Sequence, residues 1–240
     1  MGESAKKDLI YRSNEVDVRW LNGAVTISLG AETLLLDAPP GIGNLLSQRG
    51  MLAGIQSVAL SNGRLPSVGG LLPLLCGLEP HRSADTPLVL RLPFGDERGS
   101  AVAASWVRGW PDKYPISIDT IMPGVSFSVG NLEVETFPLR MGMPRWLPSQ
   151  AVEETVGLGW RVQAQDQVIV WLPGAVPSRL LSRICAPADL VIFEVGVLPW
   201  PRTEQRWRCS VSEAVRFSGE VPELWLVGDD GGPVQVVGQS

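Results

Sequence analysis

The chain has 240 residues, 45 % of them hydrophobic, with a formal net charge of −5. This length allows one large domain or two small ones with a sizeable core. The acidic balance gives no support for nucleic-acid binding, which needs a basic surface. MGESAKKDL has no apolar h-region and no apolar run approaches the roughly 20 residues of a membrane span, so the sequence places the protein in a cytoplasm and away from membranes.

Residues 1–13 read as a flexible or edge segment. Val16–Trp20, Ala24–Leu29 and Thr33–Asp37 are short apolar or alternating runs separated by Asn22-Gly23 and Gly30-Ala31, the pattern of an antiparallel meander. Asn44–Arg49 reads as a short helix, Ile55–Leu60 as a buried strand and Ser61–Pro66 as a polar loop. An apolar helix follows over Ser67–Cys76, with Ser67 as its N-cap. Leu88–Leu92 is a strand ended by Pro93, and Ala101–Val107 a helix. The second half repeats the alternation. Val125–Val129 and Leu132–Phe137 form a hairpin, as do Gly157–Gln163 and Gln167–Trp171. Met141–Thr155, with Pro144 and Pro148 and no clear period, reads as a mobile loop. Ser178–Ile184 is helical, Leu190–Phe193 a buried strand, Ser210–Phe217 a helix and Leu224–Val227 a final strand. Two halves that each pass from antiparallel strands into strand–helix alternation predict an αββα sandwich, α+β in class, formed as one domain over residues 1–240. Twenty prolines and 26 glycines suit such short elements, and nine tryptophans suit its core.

The order of these segments resembles that of metallo-β-lactamase-fold proteins of the ribonuclease Z-like kind. Leu34-Leu35-Leu36-Asp37-Ala38-Pro39-Pro40-Gly41 is similar to the strand and aspartate turn that precede the family's main metal loop. Ser61-Asn62-Gly63-Arg64-Leu65-Pro66-Ser67-Val68-Gly69-Gly70-Leu71 stands where the family has Thr-His-x-His-x-Asp-His-x-x-Gly-Leu. Phe137–Pro144, Gly159-Trp160-Arg161-Val162, Val168–Gly174, Ala188–Glu194 and Cys209–Ala214 resemble later family segments in the same order, so that the resemblance spans residues 14–232. What it implies is a two-sheet sandwich with the site at the strand ends.

The chain departs from that pattern at the positions the resemblance assigns to metal ligands. These hold Asn62, Arg64, Pro66 and Ser67, then Met141 for a histidine, Gly174 for the bridging aspartate and Asp229 for the last histidine. The only histidine is His81, outside every motif, so no shift of alignment restores the set. A dinuclear zinc site needs imidazole and carboxylate ligands, and the fixed charge of Arg64 opposes divalent cations. The expectation is no metal, no cofactor and no metal-dependent hydrolase activity.

Other chemistry is thin. His81, in Glu79-Pro80-His81-Arg82, reads as a surface histidine in a turn. Asp229-Asp230-Gly231-Gly232 offers too few carboxylates for a cation cage. Cys76, Cys185 and Cys209 lack paired spacing and read as buried or incidental thiols; Cys209 falls at a helix start but has no base beside it in sequence. Ser61, Ser67 and Ser210 have no His–Asp partners, no phosphate-loop pattern is present, and the lysines are only Lys6, Lys7 and Lys113.

Two functions fit. The first is a non-catalytic protein-binding or scaffold subunit whose partner face uses Trp146, Trp200 and Trp207, assembled as a two-fold dimer. The second is a metal-independent enzyme or anion binder in the vestigial cleft, using Arg64 and Arg140. Arg64 is then either a plug paired with Asp37, Asp229 or Asp230, or a receptor with its fork open to an anion.

Overall fold

The computed structural model describes residues 8–83, 85, 87–109, 114–140, 156–176, 178–196, 209–228 and 232–238. They build two seven-stranded mixed sheets flanked by helices, the α+β architecture expected. The chain divides into two compact units, residues 8–132 and residues 133–240, with 1–7 grouped with the latter.

In the first unit, β1 (Leu9–Ser13), β2 (Val16–Leu21), β3 (Ala24–Leu29) and β4 (Glu32–Leu36) form an antiparallel meander. Then β5 (Ile55–Ala59), β6 (Leu88–Pro93) and β7 (Ile116–Ile121) add in parallel. Asn22 and Gly23 both have positive φ, 50° and 95°, as a two-residue hairpin turn of the primed type requires. Parallel strands need crossovers, supplied by α1 (Ile42–Gln48), α2 (Leu65–Val68), α3 (Leu71–Leu78) and α4 (Glu97–Gly109). These helices cover one face, where Leu21, Leu35, Val58, Leu60, Leu90 and Leu92 pack with Leu46, Leu74 and Trp106. The alternate residues Val18, Trp20, Ile27, Leu34 and Leu36 are buried as well. Burial of both faces explains the unbroken Leu34-Leu35-Leu36 run, where a half-exposed strand would alternate.

In the second sheet, β9 (Leu132–Arg140), β10 (Val156–Ala164), β11 (Gln167–Leu172), β12 (Leu190–Val195), β13 (Glu223–Gly228) and β14 (Pro233–Gly238) are neighbours in that order, with β8 (Ser126–Val129) beyond β9. The β11–β12–β13 pairs are parallel and are crossed by α5 (Arg179–Cys185) and α6 (Val211–Ser218). Register sets Trp160, Trp171, Ile192 and Trp225 in one row across four strands. Five tryptophans, Trp20, Trp106, Trp160, Trp171 and Trp225, are fully buried, as their large apolar area favours; the other four lie outside the described residues.

One expectation needs correction, and some strands were not expected. The helix predicted over Ser67–Cys76 is two helices, with Ser67 buried inside α2 and Gly70 at the N-cap of α3. The break has a steric cause: the Gly70 amide donates to the Ala38 carbonyl at 2.7 Å, and a Cβ on Gly70 would lie 2.0 Å from the Pro39 oxygen. The edge strands β7 and β14 were not read as strands, because they lack the apolar runs of the central strands, and β7 is mostly exposed; β1 falls in the segment read as flexible or edge. Of the three cysteines read as buried or incidental thiols, Cys185 and Cys209 are buried and Cys76 is exposed. The segment Met141–Thr155, read as a mobile loop, lies outside the described residues.

Gly70→Ala is expected to lose about 2 kcal/mol or more, the range of core overpacking, read from the denaturant midpoint. Gly109→Ala, where an added Cβ meets nothing within 4 Å, should leave the midpoint unchanged or slightly raised.

Candidate functional site

The loop Ser61–Ser67 leaves the C-terminal end of β5, and its geometry follows from Asp37 at the end of β4. Asp37 is buried and has φ of 65°, a left-handed conformation that aspartate tolerates better than most residues. One of its carboxylate oxygens accepts from the Ser61 amide at 2.8 Å and the other from the Ser61 hydroxyl at 2.7 Å. Asn62 is buried, and its Oδ1 accepts from the Arg64 amide at 2.9 Å, the local turn that an Asn side chain favours. Arg64 is half-buried and caps α2 through its carbonyl, which accepts from the Ser67 and Val68 amides. Pro66 falls in the first turn of that helix, where a missing N–H costs nothing. The Ser67 carbonyl accepts from the Ala38 amide at 2.7 Å.

Asp96, after β6, braces the same loop from the other side. Its Oδ1 accepts from the amides of Arg98 and Gly99, which opens α4. A Cβ on Gly63 would fall 2.2 Å from that oxygen, so a side chain there would have to displace the Asp96 carboxylate. Sequence reasoning missed Asp96; the readable signal was an N-cap aspartate ahead of a helix start.

In the second unit, Arg140 ends β9 with its side chain exposed, and its carbonyl accepts from the Val176 amide at 3.0 Å. Gly174, at the position assigned to a bridging aspartate, is buried with φ of 57°. Ala175 accepts from the Cys209 amide, and Cys209 from the Gly196 amide. Burial pushes the Cys209 and Cys185 thiols up to about 12, so both are protonated at neutral pH and neither is a ready nucleophile. Ser210 caps α6 in a reciprocal box with Glu213, which gives the Cys209–Ala214 segment a structural role. Gly228 closes its turn by donating to the Gly232 carbonyl at 2.7 Å.

The structure therefore brings Asp37, Ser61, Asn62, Arg64 and Ser67 together at one end of the first sheet. Arg140 and Gly174 belong to the second unit. Met141, Trp146, Trp200, Trp207, Asp229 and Asp230 lie outside the described residues. Glu194, at the end of β12, is half-buried.

The residues present do not fit a zinc pair. The Asn62 carbonyl is engaged with backbone, Arg64 carries a fixed positive charge, Pro66 has no donor atom on its side chain, and Gly174 has no side chain at all. The sole imidazole, His81, precedes β6, whereas the Ser61–Ser67 loop follows the parallel strand β5. The two are thus at opposite ends of the sheet. Among the described residues, no group of three or more His, Cys, Asp or Glu side chains is placed to share an ion.

The two mixed sheets with flanking helices are the metallo-β-lactamase fold. The chain belongs to the beta-lactamase superfamily domain family, whose sequence profile matches residues 32–223. No curated protein matches the chain in sequence. Among solved structures it is similar to Zn²⁺-bound PqqB from Methylobacterium extorquens, at 20 % identity over 78 % of this chain and 68 % of that one, with a TM-score of 0.60. It is similar to YhfI from Bacillus subtilis at 15 % identity, over 85 % and 77 % of the two chains, with a TM-score of 0.63. It is also similar to the short form of human tRNase Z, ELAC1, at 17 % identity, over 85 % and 83 %, with a TM-score of 0.64. Identities this low show the shared fold alone. Among the described residues no helix is long and apolar enough to cross a membrane.

Asp37→Ala should destabilise the protein by about 3 kcal/mol, since it leaves a buried amide unpaired and puts alanine in a left-handed conformation. Asp37→Asn keeps an acceptor and the backbone tolerance and should lose clearly less. Urea unfolding of the two variants beside the parent is the measurement.

Proposed function

We propose that this chain is a non-catalytic member of its superfamily, a binding or scaffold subunit in which the metal loop has become a structural element. The observation that carries this reading is how the side chains of that loop are used. Asn62 holds the Arg64 backbone, Arg64 and Pro66 start a helix, and Ser67 is buried. None of these is an imidazole or carboxylate of the kind a zinc site needs. In PqqB, by contrast, the same fold was seen with Zn²⁺ bound.

Side chains that sequence reasoning missed support the protein-binding part. Leu65, Phe94 and Met122 are 65 %, 72 % and 53 % exposed. Leu65 lies in the old loop, while Phe94 and Met122 follow β6 and β7, linked by the Phe94 amide donating to the Ile121 carbonyl. Large apolar side chains left in solvent at one end of a sheet suit a partner surface. A two-fold dimer of cytoplasmic location remains part of this proposal, on the general prevalence of closed dimers.

The second reading, a metal-independent enzyme or anion binder in the old cleft, rests on Arg64 and Arg140. Anion binding that Arg64→Ala abolishes would put this second reading first.

Elemental analysis of protein purified without chelator should find no stoichiometric zinc, iron or manganese; one equivalent of any of them would defeat the proposal. Light scattering should give a mass near twice 25.9 kDa, and a mass near the single-chain value across a wide concentration range would remove the dimer.

A further inference from the structure

At the other end of the first sheet, away from the Ser61–Ser67 loop, lies a cleft of about 420 Å³. It is lined by His81 and Arg82 from the turn before β6, Ser57 of β5, Val89 and Arg91 of β6, and Ser128 of β8, together with small and apolar neighbours. All of these residues belong to the unit 8–132. Its volume falls within the roughly 300–1,000 Å³ of small-molecule sites.

The charge of this cleft is unbalanced. Arg91 is only 7 % exposed. Its guanidinium stacks on the Phe127 ring at 4.1 Å and donates through Nη1 to Ser57 Oγ, which in turn donates to the Val89 carbonyl at 3.2 Å. These contacts fix the planar fork before anything binds, which lowers the ordering cost of capturing a ligand. Its counter-charge is Asp119, 3.7 Å from Nε and half exposed. Arg82 has no carboxylate within ion-pair distance among the described residues, and its Nε and Nη2 are buried without an acceptor. Desolvation lowers the pKa of both arginines below the ordinary value, yet arginine starts so high that both stay charged. A second acid, Glu32, packs beside Gly130 of the lining but already accepts from the Asn131 amide at 2.7 Å. Two partly desolvated cations in a walled cleft attract an anion more strongly than the same charges in open solvent.

We propose that this cleft is a binding site for a small organic anion, with its carboxylate or phosphate group held by Arg82 and Arg91, its hydroxyls by Ser57 and Ser128, and its apolar part against Val89. The proposal is independent of the fate of the old metal loop, because the lining of the cleft includes no residue of Ser61–Ser67. His81, at the cleft wall, is the only histidine, so untagged protein has a single set of imidazole proton resonances that reports occupancy directly.

The test follows the His81 resonances by proton NMR while inorganic phosphate or citrate is added at constant ionic strength, with sodium chloride and glycerol as controls. At least one of the two anions should give a saturable shift that the controls do not. Phosphate alone would indicate a phosphoryl ligand, and citrate alone a carboxylate. Arg82→Ala should weaken binding about tenfold or more, equivalent to about 1.4 kcal/mol, with Arg82→Lys in between. Arg64→Ala should leave it within about twofold. Should Arg82→Ala not fold, Ser128→Glu puts a carboxylate into the cleft from an exposed position and should abolish binding. Absence of a saturable shift with both anions, binding untouched by Arg82→Ala or by Ser128→Glu, or binding lost in Arg64→Ala would each overturn the proposal.

Discussion

A buried carboxylate with a left-handed backbone ties the two strands on which the candidate loop depends. Asp37 receives the amide and the hydroxyl of Ser61, while its own amide donates to the Ala59 carbonyl at 2.9 Å. The end of β4 and the exit of β5 are therefore joined by three hydrogen bonds through one residue. In a site sheltered from water, such charge-assisted bonds are short and costly to break. Just downstream, the Ala38 carbonyl receives the Gly70 amide and its amide meets the Ser67 carbonyl. The close approach of Gly70 to Pro39 leaves no room for a side chain. Asp37 through Gly70 thus behave as one clamp that sets the path of the loop and the start of α3.

This clamp does not depend on metal ligands. It is made of backbone groups, one aspartate and a glycine, none of which has to be a metal ligand. The residues between, Asn62 to Ser67, have to turn the chain and start a helix, with Gly63 leaving room for the Asp96 carboxylate. In this sequence they do so with an Asn turn, an arginine whose carbonyl caps the helix, and a proline in its first turn. Asp96 holds the far side by accepting two helix amides beside Gly63. The loop is stabilised by the same local interactions that stabilise any turn-to-helix junction, and a zinc pair is not needed to order it.

The positive side chains are arranged differently at the two ends of the first sheet. Arg64 stands on a short helix start, half in solvent. Arg91 projects from the middle of a central strand, stacked and hydrogen-bonded. A charge in the middle of a strand is a costly feature unless neighbouring groups stabilise it, and the Ser57 hydroxyl, the Phe127 ring and Asp119 do so here. This local arrangement, more than the vestigial loop, gives the first unit a pre-formed cationic cleft.

Much of the fold was legible in the sequence, because central strands buried on both faces are continuous apolar runs, and helix starts carry their own caps, as at Ser178 and Ser210. The loss of the metal ligands was legible for a simpler reason: one histidine cannot make a multi-histidine site wherever it folds. The edge strands escaped notice because half-exposed strands share the composition of loops. Whether helix α3 began at Ser67 or at Gly70 was decided only by the approach of Pro39, which lies some thirty residues earlier in the chain and leaves no local trace. The cleft was hidden for the same reason. His81 and Arg82 read as a surface turn, and Arg91 was passed over inside the strand Leu88–Leu92. Parallel pairing of β5 with β6 and the position of β8 bring them together with Ser57 and Ser128. Composition and local pattern determine which elements form and which chemistries are ruled out; which side chains share a pocket is set by strand pairing between distant segments, a property of the tertiary structure alone.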